Sequence, residues 1–260
     1  MTMQIFDSHT HLNDAAYAGH VDDFVASAQE LDVTEMAIVG SDTDLNAGAV
    51  QLAARYPGLY AIVGWHPESA KDYTDDAEHA LRAQLALPQT VAIGEIGLDY
   101  HWDTSPRDVQ RRVFARQLAI ADELQLPVSI HSRDAFMDTY SILNQSRVRT
   151  FGGIMHSFTG DGTWARRFLE LGMYVSFSGI ASFKNAAPEH DAVRIVPDDR
   201  LLVETDAPYL TPEPYRGRTN QPGYTRYVVE AIARLRGTTP EHIAAVTRRN
   251  AHRVFGLEND

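Results

Sequence analysis

The 260-residue chain is predicted to fold as an α/β protein, a TIM-type (β/α)8 barrel that takes up residues 1–260 as a single domain. Short apolar runs alternate with amphipathic helical stretches along the whole chain, and eight such runs can be placed, the strand number of a closed parallel barrel. No repeat, low-complexity tract or Pro/Gly/Ser linker divides them. Polar residues of metal-ligand type follow the apolar run at six of the eight strand ends, and a barrel gathers all such ends on one face. An open doubly wound sheet is the second architecture that fits the alternation.

The first strand is Met3 to His11, an apolar start running into a polar tip. Side chains alternate in an extended segment, so His9 and His11 project together with Asp7 one step behind. Helical spacing over Val21–Leu31 precedes a strand at Met36–Val39, and helix Leu45–Arg55 precedes strand Tyr60–Val63. A helix near Asp76–Leu85, a fourth strand at Val91–Gly94 and a long helix at Arg107–Leu124 follow. Pro127 marks the start of strand five, Val128–Ile130. Helix Ala135–Leu143, strand Gly153–Met155, helix Thr163–Leu171, strand Tyr174–Phe177 and strand Leu201–Val203 complete the eight. Helices near Tyr224–Leu235, Pro240–Thr247 and Ala251–Phe255 form the tail. The Pro- and Gly-rich stretch Ala207–Gly223 follows the last strand and reads as a site-lining loop.

Composition narrows the function. A net charge of −12 excludes coating of long nucleic acid by phosphate neutralisation, while a small or end-bound anion stays possible. The absence of cysteine removes disulfides, thiolate nucleophiles and Cys-type zinc sites. No run is long enough to span a bilayer, and no signal-peptide pattern opens the chain, so a cytoplasmic protein is expected.

The strand ends carry the chemistry. They supply His9 and His11, then His66, Glu95, His131 with Arg133, His156, and finally Glu204 with Asp206. Five of the 11 histidines fall at these positions. A lone histidine ending an apolar strand, as at His131 and His156, is usually a satisfied core group, and the shared barrel face is what lifts these two to ligands; His66 before Pro67 has a turn-shaping alternative to a functional role. Glu95 follows Val91-Ala92-Ile93, where an unpaired carboxylate would be costly. This set exceeds the needs of one tetrahedral ion and suits two divalent metals, with zinc, manganese, iron, cobalt and magnesium all left open. Many barrel hydrolases bridge their metals with a carboxylated lysine, but Lys71 and Lys184 are the only lysines and neither ends the fourth strand, which leaves Glu95 as the bridge.

The motifs Asp7-Ser8-His9-Thr10-His11-Leu12, Gly64-Trp65-His66-Pro67, Gly94-Glu95-Ile96-Gly97-Leu98-Asp99-Tyr100, His131-Ser132-Arg133, His156-Ser157-Phe158-Thr159-Gly160 and Glu204-Thr205-Asp206-Ala207-Pro208-Tyr209-Leu210 occur in this order. Together they resemble the TatD family of metal-dependent hydrolases, and the likeness runs from the first strand to beyond Asn220 and Pro222. The resemblance implies that His9, His11 and Asp206 hold one metal, that Glu95 bridges, and that His131 and His156 hold the second. It further implies that Asp206 accepts a proton from the attacking water and that Glu204 is an added metal contact or a partner just behind the ligands. His66, Tyr100 and Arg133 would face the substrate phosphate. The activity implied is that of a deoxyribonuclease or phosphodiesterase working on DNA ends or single strands through a metal-bridged hydroxide. The alternatives are an ester hydrolase such as a D-aminoacyl-tRNA deacylase and a non-catalytic binding protein on this scaffold.

Overall fold

The computed structural model describes residues 3–102 and 104–257, so the outermost residues of the expected 1–260 domain lie outside the described part. Eight parallel strands form one sheet in sequential order: β1 (Ile5–Thr10), β2 (Val33–Val39), β3 (Leu59–Val63), β4 (Thr90–Asp99), β5 (Val128–Arg133), β6 (Gly153–Met155), β7 (Tyr174–Phe177) and β8 (Leu201–Val203). The helices are α1 (Val21–Glu30), α2 (Thr43–Arg55), α3 (Asp75–Leu85), α4 (Arg107–Leu124), α5 (Phe136–Gln145), α6 (Val148–Phe151), α7 (Gly162–Glu170), α8 (Ala187–Ile195), α9 (Thr225–Arg236) and α10 (Pro240–Val254). The sheet curls into a nearly closed barrel, because the segment after β8 pairs with the end of β1: the Asp206 amide donates to the His9 carbonyl at 2.9 Å and the His11 amide to that of Ala207 at 2.8 Å. The seam is thus closed by the segments that carry three of the expected ligands.

Alternation along the strands separates two apolar layers. Ile5, Met36, Ile38, Ala61, Val63, Ile93, Val128, Ile130, Met155, Val175, Phe177, Leu201 and Val203 pack outward under the helices. Phe6, Ala37, Val39, Ile62, Ala92, Ile154 and Leu202 fill the barrel with Ala251 and Phe255 of the C-terminal segment. Phe6 stacks on Tyr60 at 5.7 Å and meets Phe255 at 5.7 Å, so α10 plugs the N-terminal mouth. The opposite, C-terminal mouth is left open.

Helix starts follow local chemistry. Asp42, Thr74, Asp161 and Thr239 accept backbone N–H bonds at the N-termini of α2, α3, α7 and α10. Four elements depart from the sequence expectation. The tail segments 240–247 and 251–255 are one continuous helix, α10, since Asn250 between them is buried and donates to the carbonyls of Asp198 and Leu201. The short helix α8 was not foreseen between β7 and β8, and neither was the single turn of α6. The fourth strand continues past Gly94 to Asp99. Gly97 permits this, with φ 143° and a backbone so close to β5 that a Cβ there would sit 2.0 Å from the His131 carbonyl oxygen. No helix among the described residues is long and apolar enough to cross a membrane.

Candidate metal centre

The strand ends converge on Glu95. Two residues of β4, Gly94 and Glu95, face the single residue Ser129 of β5 between the pairs Ile93↔Val128 and Ile96↔Ile130, so the strand bulges where Glu95 sits. A bulge re-aims a side chain, and here it sends the carboxylate into the open mouth. The carboxylate is 4% exposed, and its two oxygens meet two separate groups of ligand atoms. Oε2 lies 3.4 Å from His9 Nε2 and 3.5 Å from His11 Nε2, while Asp206 Oδ1 stands 3.5 Å from His11 Nε2 and 3.8 Å from His9 Nε2. Oε1 lies 2.8 Å from both His131 Nδ1 and His156 Nε2, with His66 Nε2 at 3.5 Å.

These spacings suit cations. Two ligands at about 2.1 Å from a tetrahedral ion are about 3.4 Å apart. The nitrogens of His9 and His11 are separated by 3.3 Å, and those of His131 and His156 by 3.4 Å. The far side of each ring is also occupied. His11 Nδ1 donates to the Val39 carbonyl at 3.1 Å, which leaves Nε2 with its lone pair toward the centre. His9 Nδ1 meets Ser129 Oγ at 3.3 Å, His131 Nε2 meets Asp99 Oδ2 at 2.9 Å and His156 Nδ1 meets Glu204 Oε1 at 3.1 Å. Asp206 reaches the cluster from a left-handed turn, φ 55°, a conformation that aspartate tolerates.

With protons and not cations between the groups, the charges are strongly displaced. Burial opposes ionisation of Glu95, but the surrounding histidines outweigh it and hold the carboxyl well below its usual range. Asp206 is lowered for the same reason, chiefly by the His11 hydrogen bond. Burial pulls the His131 imidazolium down, yet the bonds to Asp99 and Glu95 win and push it up to about 9. His156, between Glu95 and Glu204, is likewise raised well above its ordinary value. His9 goes the other way, lowered by burial and by the charge of His156. The cluster therefore carries buried carboxylates whose countercharge is shared among protons, which divalent cations can replace.

A cavity of about 790 Å3 opens over the cluster, lined among others by His11, His66, Glu95, His131, His156 and Asp206. The family model described as TatD related DNase matches residues 6–256. The chain belongs to the TatD family of metal-dependent hydrolases. The metal-dependent hydrolase YabD of Bacillus subtilis (strain 168) is 43% identical over 97% of this chain and 99% of its own. The 3'-5' ssDNA/RNA exonuclease TatD of Citrobacter rodentium (strain ICC168) is 33% identical over 97% and 98%. The crystal structure of YjjV, a TatD homolog from Escherichia coli K12, superposes with a TM-score of 0.93 at 28% identity, covering 98% of this chain and 99% of that one.

Within this TatD chain the remaining expected residues fall in distinct places. Glu204 is fully buried behind His156 and accepts from its ring and from the Ser157 amide at 2.7 Å, outside the groups of atoms that could hold an ion. His66 Nδ1 accepts the Glu68 amide at 3.3 Å, which leaves Nε2, 3.5 Å from Glu95 Oε1 at the cavity wall, as the donor of the ring. Arg133 lines the cavity and is exposed. Tyr100 does not line it: the hydroxyl donates to Asp138 at 2.6 Å and accepts from Arg111 at 3.0 Å, and its backbone amide donates a hydrogen bond to the Arg133 carbonyl at 2.9 Å. Asp7 is no ligand either. It is fully buried, accepts Thr205 Oγ1 at 2.6 Å and the Thr205 and His9 amides, and burial pushes its carboxyl up to about 7.

Asp99 is the residue that sequence reasoning missed. It lies four positions after Glu95 on an extended strand, a spacing that returns a side chain to the same face, and this signal was available. Removing a carboxylate that orients a ligand typically costs 10- to 100-fold in metal affinity. Asp99→Asn is expected to lower affinity at the His131 side by about that factor, leaving the His9 side unchanged, which titration with Mn2+ followed by electron paramagnetic resonance would resolve as a split of two formerly similar sites.

Proposed function

We propose that this chain hydrolyses phosphodiester bonds at the ends of single-stranded nucleic acid with two divalent cations. The observation that carries this reading is the division of the Glu95 carboxylate, with Oε2 toward His9, His11 and Asp206 and Oε1 toward His131 and His156. The first three would hold one ion, the last two the other, and Glu95 both. Bound there, such ions would acidify a water molecule and neutralise charge on the phosphoryl oxygen. The protein's own share is positional. Asp206, lowered into its ionised form and present at the cavity wall, accepts the proton released as water attacks phosphorus. His66 Nε2–H and the Arg133 guanidinium donate to the non-bridging oxygens, whose charge grows as the water oxygen attacks, and the proton taken up by Asp206 is then available to the leaving alkoxide.

Relatives of named activity are 3'-5' ssDNA/RNA exonucleases, which favours a nucleic acid over the aminoacyl-ester alternative. The net charge of −12 favours end-binding over the tracking of long duplexes. The same reading keeps the enzyme in the cytoplasm, where free single-stranded ends occur. Chelation is expected to abolish hydrolysis of a linear single strand, and addition of Mg2+, Mn2+, Zn2+ or Co2+ to restore it. A covalently closed single-stranded circle should resist under the restored conditions. Activity that survives verified removal of metal, or cleavage of the circle at the linear rate, would contradict the proposal.

A further inference from the structure

Among the described residues, the large apolar side chains left exposed are Leu87, Trp102, Leu124, Met137 and Tyr209. The two aromatic ones both line the cavity over the metal cluster. Trp102 is 50% exposed and Tyr209 57%, far more than a ring needs if its role is to pack. Trp102 follows β4 and Tyr209 follows β8, four strands apart in the sheet order, so they stand on opposite walls of the mouth. Both backbones are pinned to the cluster. Asp99 Oδ1 accepts the His101 and Trp102 amides at 2.8 and 3.0 Å while its other oxygen holds His131. The Tyr209 amide donates to the Asp206 carbonyl at 2.9 Å, and its own carbonyl accepts Asn220 Nδ2 at 2.6 Å. The Tyr209 ring meets His11 edge-on at 6.4 Å, and the Arg133 guanidinium lies 5.7 Å from the Trp102 ring.

An acidic protein that handles a polyanion gains little from its general surface, so its hold must come from local contacts. Flat rings at fixed positions supply one kind, since every base offers a π face and only unpaired bases can leave their own stack to reach them. We propose that Trp102 and Tyr209 are base-stacking residues that hold nucleotides on the two sides of the scissile phosphate and thereby select unpaired ends. This rests on the nucleic-acid reading above. The Arg133 guanidinium lies over the Trp102 ring, so a base would stack on the other face with this cation at hand for its phosphate.

The test compares a linear single-stranded deoxyoligonucleotide with the same strand made abasic at both ends. Trp102→Ala and Tyr209→Ala are each expected to raise KM on the normal strand about tenfold or more, with kcat little changed, and Trp102→Phe and Tyr209→Phe to recover most of the loss. Removal of the terminal bases should cost the metal-loaded wild-type enzyme a similar factor, and the two losses should not multiply. Trp102 fluorescence should be quenched by the normal strand and not by the abasic one. Hydrolysis indifferent to both alanine substitutions, or losses that multiply with base removal, would overturn the stacking assignment and leave the nuclease reading intact. Base-dependent quenching without hydrolysis would uphold stacking and overturn the nuclease reading; a wild-type enzyme that neither binds nor cuts either strand would overturn both.

Discussion

Glu95→Gln is expected to yield a folded barrel that holds one metal ion or none and has lost about 1,000-fold or more in hydrolysis. The carboxylate is the one group whose two oxygens reach both sets of histidines, Oε2 toward His9 and His11, Oε1 toward His131 and His156. Glutamine keeps the shape but replaces one oxygen with an N–H2 group, a donor that cannot ligate, and removes the charge that offsets two cations. Backbone contacts that place the residue, such as the Glu95 amide donating to the Gly40 carbonyl at 2.9 Å, are untouched, so circular dichroism should match the wild type. Lys71→Ala and Lys184→Ala serve as controls, since both side chains are exposed and neither lines the cavity. Their rates and metal contents are expected to stay within about twofold of wild type, as is usual for surface positions. A fully loaded, active Glu95→Gln enzyme, or a lysine variant stripped of metal, would refute Glu95 as the bridge.

Metal affinity is expected to fall about 100-fold or more between pH 8 and pH 6 at the His131–His156 side. The direction follows from the raised basicity of both rings. His131 is pushed up to about 9, so it is protonated across this range when no metal is held, and His156 is raised in the same direction by Glu95 and Glu204. Ligation needs the neutral ring, hence the proton displaced from His131 contributes a factor of about ten per pH unit, and His156 steepens the fall in the same direction. Histidines of ordinary pKa would lose only about 20-fold over the same interval, nearly all of it below pH 7. Calorimetric titration in buffers of different ionisation enthalpy would count the protons directly. Release of less than about half a proton at this site at pH 8 would show that the Asp99 and Glu204 contacts do not raise the rings as argued.

Much of this was legible in the chain itself. Helix Arg107–Leu124 falls where its spacing places it, and all six candidate ligands stand at strand ends as expected. The reason is local: apolar periodicity fixes element type, and a histidine or carboxylate after an apolar strand has few places to go but the barrel's open mouth. The seam between β8 and β1 was not legible, because its bonds join His9 to Asp206 and His11 to Ala207 across nearly the whole chain. Neither was the continuity of α10, where the polar run Arg248-Arg249-Asn250 interrupts the apolar pattern but Asn250 finds buried carbonyl partners.

The side-chain roles divide along the same line. Sequence by itself determined the barrel, the family, and which residue types stand at each strand end, since these depend on composition and spacing within short windows. Tertiary structure alone decided which oxygen of Glu95 meets which histidine, because that depends on the bulge between Ile93 and Ile96 and on the register of β4 against β5. It also decided that Tyr100 turns away to Asp138 and Arg111, while Trp102, two residues on, faces the cavity. Asp99 shows why: one carboxylate ties the His131 ring to the amides of His101 and Trp102, and such a junction exists only when β4 and β5 lie side by side.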